Sequence, residues 1–289
     1  MKKIIIIILL ISLFSSLIPI TNSIELHSSD IPNSFSWTNY NGIDYTTPIK
    51  DQSPAPTCEA YALCAALETI MQYQTGNLFQ PDLSETHLYF YAGGTYEAGG
   101  VNVHDAADYL ISHGVPDEGC YPDPHRPFDY PYTSVNGWKN RTVKITEWGW
   151  VAHEKDEIKN ALMTYGPLTI CIWVYEDMYD YKGGIYRRNT DNIVGGHLVS
   201  LMGFDDTTES WLVKNSWGTQ WGDNGWFHMG YDQDMFIEGC YGGETGIIYI
   251  DGVYGNFKPD VPKIRFSSPE IFHTYVFNYK IPQLLRSIP

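Results

Sequence analysis

The chain has 289 residues, 34 of them acidic and 18 basic, which gives a formal net charge of −16. This balance argues against nucleic acid as a partner, because phosphate binding needs a basic surface. Hydrophobic residues make up 43% of the chain, so a sizeable core can form. The length fits one large domain or two lobes around a cleft.

The N-terminal segment has the pattern of a secretory signal peptide. Met1-Lys2-Lys3 precede an apolar run over residues 4–20, and Thr21-Asn22-Ser23 follow it. A charged start, an apolar run and small or polar residues at its end are typical of such signals, so we expect residues 1–23 to be removed and the protein to be secreted. The alternative is an uncleaved membrane anchor with the rest of the chain outside, since a run of about 17 residues lies at the short limit of a span.

A helix is predicted at residues 60–74, with Thr57 as an acceptable N-cap and Gly76 as a stop signal. Apolar spacing at i, i+3 and i+4 predicts one buried face, made of Ala60, Leu63, Cys64, Leu67, Ile70 and Met71. Cys58 lies in the first predicted turn, where the helix dipole favours a thiolate. Cys64 points to another side of the helix and is interpreted as a small core residue.

The order of the remaining predicted elements indicates an α+β fold. Further helices are predicted at residues 85–91, 104–113 and 154–165, and short strands at residues 143–145, 168–174, 198–204, 211–214, 226–229 and 246–250. A helical lobe of about residues 31–130 is therefore followed by a β-rich lobe of about residues 131–254. We expect the functional site in the cleft between them, because ligand pockets favour such interfaces.

Four residues have the types and the order that thiol catalysis needs. His197 stands 139 positions after Cys58, Asn215 a further 18 positions on, and Gln52 six positions before Cys58. An imidazole can activate a thiol and later protonate a leaving amine. A side-chain amide can orient that imidazole, and another can stabilise the negative charge of the transition state.

The segment Lys214-Asn215-Ser216-Trp217-Gly218 continues into a Trp-Gly-Asp-Asn-Gly-Trp run at residues 221–226. With Cys58 and His197 in order before it, the chain resembles the papain family of cysteine peptidases over about residues 31–250. Gly166-Pro167 and the Tyr-Lys-Gly-Gly-Ile-Tyr run at residues 181–186 match further landmarks of the family. The resemblance implies a two-lobed fold in which a helical lobe and an antiparallel, β-barrel-like lobe enclose the active-site cleft.

The resemblance also implies roles for individual residues. Cys58 corresponds to the nucleophile, His197 to the acid and base, Asn215 to the residue that orients the imidazole, Gln52 to the oxyanion donor and Trp217 to the ring that shields the Asn–His hydrogen bond. The implied substrate-binding residues, which include two glycines for the peptide main chain, are Gly99, Gly100, Val101, Asn102, Cys171, Leu198 and Trp217. No metal and no organic cofactor is implied. The expected partners are peptide or protein substrates, with a protein inhibitor as a further partner, and a membrane only if the N-terminal segment stays attached.

The chain departs from the family next to two catalytic candidates. Glu59 follows Cys58 where the family commonly has an aromatic residue, and a carboxylate beside a thiolate raises the pKa of the thiol if both point the same way. Gly196 precedes His197 where family members often have Asp or Asn. These differences leave open a rival interpretation, a catalytically weak or inactive binding protein on a peptidase fold, although such a protein has no need for all four catalytic candidates.

The usual disulfide framework of the family is not carried over. Ala55 and Glu97 stand where the family has the two cysteines of one bridge. With Cys58 reserved for chemistry, the remaining cysteines are Cys64, Cys120, Cys171 and Cys240. Four cysteines allow three pairings, and the sequence does not choose among them.

Both ends of the chain differ from the family pattern. Residues 31–37 resemble the mature start of family members, and only residues 24–30 separate them from the expected cleavage site. We therefore expect the long inhibitory pro-segment of the family to be missing. Residues 255–289 form a tail of unknown role, with short strands predicted at residues 264–266 and 275–277, and about 30 residues are too few for an independent core.

Overall fold

The computed structural model describes residues 31–95, 99–122, 136–233, 235–239 and 245–255. The expected signal peptide, Glu97, Cys240 and the strands predicted in the tail lie outside these ranges. Within the described ranges, no helix combines the length and the apolar character needed to cross a bilayer.

The four predicted helices are confirmed, each with ends within two residues of the prediction. They are α1 Cys58–Gln74, α2 Glu85–Tyr91, α3 Val103–Ser112 and α4 Lys155–Tyr165. Local signals set their ends. Ser84 caps α2 by accepting the backbone N–H of His87 at 3.1 Å, and Gly76, with a φ of 64°, follows the end of α1.

The prediction of a single buried face on α1 is wrong. Every residue of this helix from Cys58 to Gln72 is buried, because α1 packs against β7 (Ile193–Asp205) and β5 (Leu168–Tyr175) as well as against α2 and α3. Cys64 is buried in the apolar cluster around α1, which confirms its interpretation as a core residue.

The remaining strands are β1 Ser34–Ser36, β2 Val115–Pro116, β3 Thr142–Lys144, β4 Glu147–Trp150, β6 Ile185–Tyr186, β8 Ser210–Lys214, β9 Trp226–Gly230, β10 Ile247–Asp251 and β11 Tyr254–Gly255. One sheet has the order β4-β10-β5-β7-β8-β9-β6, with β1 also paired to β7, and a second has the order β11-β3-β2. The pair β6–β9 is parallel, so the prediction of an antiparallel lobe is wrong at that edge, where the two strands are joined by a long crossover rather than by a hairpin.

The two hydrophobic cores do not coincide with the two lobes that the sequence predicts at about residues 31–130 and 131–254. The core on the sheet side includes Trp37 and Tyr45 from the N-terminal segment, because β1 pairs with β7. The core around α1 includes Val143 and Ile145, because β3 pairs with β2. The N-terminal segment thus joins the core on the sheet side, and residues 143–145 join the core around α1.

Strand β7 brings the site together. It runs for 13 residues, packs on α1 and pairs with β5, so that His197 lies opposite Ile172 and Leu198 opposite Cys171. Because side chains alternate along a strand, His197 and Leu198 point to opposite faces of β7. Strand β8 pairs with β7 on its other side and ends at Lys214, immediately before Asn215.

Candidate active site

Cys58 is the first residue of α1, and its neighbour Thr57 occupies the N-cap without a side-chain cap hydrogen bond. The Cys58 residue is 8% exposed. Cys58 and Leu198 are buried in the same apolar cluster, and the backbone N–H of Leu198 acts to lower the pKa of the thiol. The thiol therefore lies beside the residue that directly follows His197 in β7, although 139 positions separate Cys58 and His197 in the chain.

His197 and Asn215 form a buried hydrogen-bonded pair. The distance between His197 Nε2 and Asn215 Oδ1 is 2.8 Å, and the same oxygen accepts the backbone N–H of Ser216 at 2.8 Å. The Ser216 bond identifies this atom as the amide oxygen, which only accepts. Nε2 of His197 therefore carries the proton, and Nδ1 is the basic nitrogen of the ring.

Aromatic rings cover this pair. The Trp217 ring stacks on the His197 ring with centroids 4.8 Å apart and an interplanar angle of 24°. The exposed ring of Tyr179 stacks on Trp217 at 5.4 Å, and Trp221 meets Trp217 edge-on at 4.9 Å. These rings limit the access of water to the hydrogen bond between His197 and Asn215, which strengthens the bond.

Gln52 is attached to the segment that carries Asn215. Its backbone N–H donates to Ser216 O at 2.9 Å, and its Oε1 accepts from the Ser216 hydroxyl at 2.6 Å. Nε2 donates to the Ala55 carbonyl at 3.0 Å. An amide nitrogen has two hydrogens, so one N–H of Gln52 holds the loop before Cys58 and the second is available to another acceptor.

Burial pushes the thiol and the imidazole toward their neutral forms. It raises the pKa of the Cys58 thiol, and the negative charge of Glu59 raises this pKa further, against the opposite effect of the Leu198 N–H. Burial lowers the pKa of His197 to about 4, although the hydrogen bond to Asn215 acts in the other direction. Burial and the helix dipole thus act on the thiol in opposite directions, and the thiolate expected from the helix start stays a prediction.

The residues implied in substrate binding fall into two groups. Val101, Leu198 and Cys171 are buried in the apolar cluster that also contains Cys58. Nearer the surface, Gly99 has a φ of 66° and Gly100 a φ of 140°, a region that favours glycine. Asn102 is half-buried at the N-cap of α3, and its side-chain nitrogen donates to Asp105 Oδ2 at 3.0 Å.

A network of buried charges, which the sequence analysis missed, lies beside the catalytic candidates. Nζ of Lys50 is 3.1 Å from Glu68 Oε1 and 2.6 Å from Glu85 Oε1, and both carboxyl groups are almost fully buried. Nζ of Lys214 donates to the carbonyl and the hydroxyl oxygens of Thr47 at 2.8 and 2.9 Å. Burial lowers the pKa of Lys214 to about 8.

A cavity of about 20 Å³ borders both this network and the catalytic candidate Asn215. Its lining includes Lys50, Glu68, Glu85, Lys214, Asn215 and Ser216. A signal for this network existed in the sequence, since Lys50 stands two positions before Gln52 and Lys214 directly before Asn215. A charged residue that is buried beside catalytic candidates requires a partner.

The cysteines differ in state. Cys58, Cys64 and Cys120 are buried thiols, whereas Cys171 is part of a disulfide bond. Cys171 therefore contributes a disulfide, and not a thiol, to the cluster around Cys58. In the part of the chain that the structure describes, no group of three or more His, Cys, Asp or Glu side chains could hold a metal ion.

Comparisons with known proteins agree with the geometry. Residues 31–247 match the family model described as papain family cysteine protease. The chain is 30% identical to cathepsin B-like cysteine proteinase 6 of Caenorhabditis elegans over 74% of its length, and 32% identical to procathepsin L of Felis catus over 71%. It spans 66% and 62% of the lengths of these two relatives.

Solved structures show the same fold. The bromelain protease of Ananas comosus, solved with the inhibitor E64, superposes with a TM-score of 0.58 at 25% identity, covering 76% of this chain and 99% of the bromelain chain. A cysteine protease of Carica candamarcensis, solved with E-64, superposes with a TM-score of 0.56 at 24% identity, covering 76% of this chain and 99% of the Carica chain. This second likeness supports the fold alone. The match of the family model over most of the chain decides the assignment: the chain belongs to the papain family of cysteine proteases.

Proposed function

We propose that this protein is a secreted cysteine-type endopeptidase that hydrolyses peptide bonds through an acyl-enzyme. The observation that carries the proposal is the arrangement around β7: Cys58 is buried in one cluster with Leu198, and the adjacent His197 is held by Asn215 at 2.8 Å. Ser216 supports the proposal further, because it links Asn215 and Gln52 by donating to Oδ1 of the first and to Oε1 of the second.

In the first step, Cys58 attacks the carbonyl carbon of the scissile peptide. Nδ1 of His197 takes the thiol proton, which is general-base activation, and the sulfur–carbon bond forms. Asn215 stabilises the imidazolium through the bond to Nε2–H. The product of this step is a tetrahedral adduct with a negative oxygen.

Gln52 is the proposed donor to that oxygen. Its Nε2 has a second N–H beyond the one on Ala55, and the ties of its backbone and Oε1 to Ser216 fix the amide in place. Preorganised donors of this kind stabilise charge that appears only in the transition state. The adduct collapses when His197 Nδ1–H protonates the leaving amine, and the acyl group remains on Cys58.

Water completes the cycle. Nδ1 of His197 takes a proton from a water molecule that attacks the thioester carbon, and the thiol leaves as Cys58–SH after the proton returns to sulfur. The expected substrates are peptides or proteins whose main chain lies along Gly99 and Gly100. The alternative, an exopeptidase, needs a segment that blocks one end of the cleft.

Mass spectrometry after treatment with E-64, a thiol-reactive epoxide, tests the proposal. We expect one equivalent on Cys58, and none on Cys64 or Cys120, the other two buried thiols of the described residues. The variant Cys58→Ala should take up no label. A folded wild-type protein that neither reacts with E-64 nor hydrolyses protein substrates would support the rival function, a binding protein on a peptidase fold.

Export and domain organisation belong to the same proposal. Met1-Lys2-Lys3 and the apolar run at residues 4–20 support a signal peptide ending near Ser23, followed by a peptidase domain at residues 24–254 and a tail at residues 255–289. N-terminal sequencing of exported protein should give a start between Ser23 and Ile31. A start at Met1 would indicate a membrane anchor instead.

A further inference from the structure

Exposed hydrophobic side chains gather at the C-terminal end of α1. Eight large hydrophobic residues are exposed in the part of the chain that the structure describes, and four of them lie here: Ile43 (40% exposed), Tyr73 (45%), Leu78 (64%) and Tyr254 (43%). Hydrophobic residues that are exposed singly are ordinary on a protein surface, whereas a group of them marks an interaction site. These four residues are called the α1-end patch below.

The first three residues of the patch belong to one region of the surface. Tyr73 lies in the last turn of α1, and Leu78 stands four positions after the end of this helix. Asn77, directly before Leu78, donates through Nδ2 to the carbonyl oxygen of Asp44 at 3.2 Å. Ile43 is the chain neighbour of Asp44, so this bond holds Ile43 beside the turn that carries Leu78.

The described part of the chain ends at the same place. Gln74, the last residue of α1, donates through Nε2 to the carbonyl oxygen of Val253 at 3.5 Å. Tyr254 and Gly255 follow directly and form β11 at the edge of the small sheet. The rest of the tail therefore starts beside the α1-end patch.

The composition of the tail complements this surface. Residues 255–289 contain five basic and two acidic residues, so the tail has a net charge of +3 and the rest of the chain a net charge of −19. The tail beyond Gly255 is also rich in aromatic residues, namely Phe257, Phe266, Phe272, Tyr275, Phe277 and Tyr279. A basic segment with many rings thus leaves an acidic domain next to an exposed apolar patch.

Acidic side chains flank the patch. Asp44 is exposed next to Ile43, and Asp251, three positions before Tyr254, is paired with Glu147 across β10 and β4. The cation opposite Tyr254 in β3 is Lys144, whose Nζ donates to a backbone carbonyl at 2.7 Å. The surroundings of the patch therefore favour a positively charged segment.

We propose that the α1-end patch is the docking site of the tail of the same chain, from residue 256 on. Docking removes the four hydrophobic side chains from water and brings positive charges to an acidic surface. Tethering favours this occupant over a separate molecule, because a linked segment acts at an effective concentration of about 1 mM. A contact that is weak between free molecules is then formed most of the time.

The patch and the catalytic candidate Cys58 lie at opposite ends of α1. Tyr73 stands 15 positions after Cys58, which at the helical rise per residue is about 22 Å along the axis. A tail that covers the patch therefore leaves the start of α1 open to a substrate. The inference goes beyond the proposed function and does not depend on it, since none of the catalytic candidates takes part in docking.

Hydroxyl-radical footprinting of the folded full-length chain tests the inference. A specific protease site inserted after Gly255 allows the tail to be cut from protein that has already folded, and Cys58→Ala prevents digestion by the protein itself. We expect the oxidation of Tyr73 and Leu78, read by mass spectrometry, to rise at least about threefold after the cut, because these side chains return to water. Tyr179, which is 55% exposed elsewhere on the surface, is the internal control and should not change.

Size-exclusion chromatography of the cut sample completes this measurement. If the cut tail stays bound to the domain, it should be released by the double substitution Tyr73→Ser and Leu78→Ser. A tail that separates from the domain while the oxidation of Tyr73 and Leu78 stays unchanged would overturn the proposal. Oxidation that falls as the protein concentration rises, together with a dimer in sedimentation, would also overturn it, because a second copy of the chain then covers the patch.

Trypsin cleavage within the tail gives a second measurement on the uncut chain. In the double variant Tyr73→Ser and Leu78→Ser, cleavage in the tail should be at least about threefold faster than in the parent Cys58→Ala protein, because a docked segment is protected from proteolysis. The matched control is the double variant Ile193→Ser and Val194→Ser, which also removes two exposed apolar side chains, 49% and 48% exposed, but lies on β7. Equal rates in the two double variants would contradict docking at the patch.

The position of the tail has a further consequence when Cys58 is intact. Cutting the tail should leave kcat/KM for a peptide unchanged, because the docked tail lies about 22 Å from the start of α1. A rise in kcat/KM after the cut would show that the tail covers the cleft and not the α1-end patch.

Discussion

The side-chain oxygen of Asn215 lies 2.8 Å from Nε2 of His197 and accepts the N–H of Ser216 at the same distance. The N–H groups of His197 and Ser216 thus share Oδ1 of Asn215 as their acceptor, and this fixes the orientation of the Asn215 amide. The imidazole in turn has one stable tautomer, with its basic Nδ1 turned away from Asn215. The pair acts as a unit, but the two residues contribute differently, since only His197 transfers a proton.

Substitutions in this pair should therefore differ in severity. His197→Ala should reduce kcat by about 10³-fold or more, because the thiol loses its base. Asn215→Ala should be milder, about 10- to 100-fold, because it only orients the ring. Ser200→Ala is a matched control for a buried polar group on β7 and should keep wild-type kcat. Equal losses in His197→Ala and Asn215→Ala would contradict this division of roles.

The charge network predicts a large effect of Lys50 on stability. Lys50→Met leaves the buried carboxyl groups of Glu68 and Glu85 without their cation, and breaking a buried ion pair from one side costs about 3–5 kcal/mol. Chemical denaturation measures the change in the free energy of unfolding. Lys182→Met, at an exposed position, should change it by less than about 0.5 kcal/mol. Similar values for the two variants would refute the role of the network.

His87 on α2 predicts a dependence of stability on pH. The residue is 0% exposed, its ring stacks on Tyr91 with centroids 4.2 Å apart, and its nitrogens have no hydrogen-bond partner among the described residues. Burial lowers the pKa of His87 to about 3. Below an unfolded pKa of about 6.5 the unfolded state binds more protons, so the contribution of His87 to stability falls by about 1.4 kcal/mol per pH unit until the folded pKa is reached.

A comparison of variants isolates this contribution. His87→Phe keeps a ring against Tyr91 and removes the titration, so its stability should fall less steeply than that of the wild type between pH 6 and pH 4. His113→Phe is the control, because His113 is exposed while its ring stacks on Tyr109. Parallel stability curves for His87→Phe and the wild type would show that His87 is not the titrating group.

Two glycines with left-handed backbones predict different costs of substitution. A Cβ at Gly246, with a φ of 68°, would collide with the carbonyl oxygen of Ile237, whereas a Cβ at Gly42, with a φ of 83°, has no atom within 4 Å. Gly42→Ala should cost about 1–2 kcal/mol of stability from the backbone alone. Gly246→Ala should cost clearly more, and thermal unfolding of the two variants checks the order. A Gly246→Ala variant as stable as Gly42→Ala would contradict the close approach.

Much of the fold followed from local patterns. The helices at residues 58–74 and 155–165 were predicted because apolar periodicity and end signals agree there, and the strands at residues 168–175 and 210–214 because they are short and apolar. The burial of α1 on all sides was not predictable in this way, because it depends on β7, which lies more than 100 residues further along the chain.

The candidate site was predicted in its residues but not in its electrostatics. Cys58, His197 and Asn215 were identified by type, order and resemblance, all of which are properties of the sequence. The burial that raises the pKa of Cys58 and lowers the pKa of His197 was not predicted, because it depends on elements far apart in the chain. Glu59 was noticed as a departure from the family, yet its bond to Val101, 42 positions away, is a property of the folded chain.

Hydrolysis of an unfolded protein substrate by wild type, Cys58→Ala and Cys64→Ala tests the central claim most directly. Both substitutions remove one buried thiol from α1, so Cys64→Ala controls for the loss of a thiol from this helix. The account predicts that Cys58→Ala has no activity above the uncatalysed background and that Cys64→Ala retains activity near that of the wild type. Turnover by Cys58→Ala at the wild-type rate would contradict the assignment of Cys58 as the nucleophile.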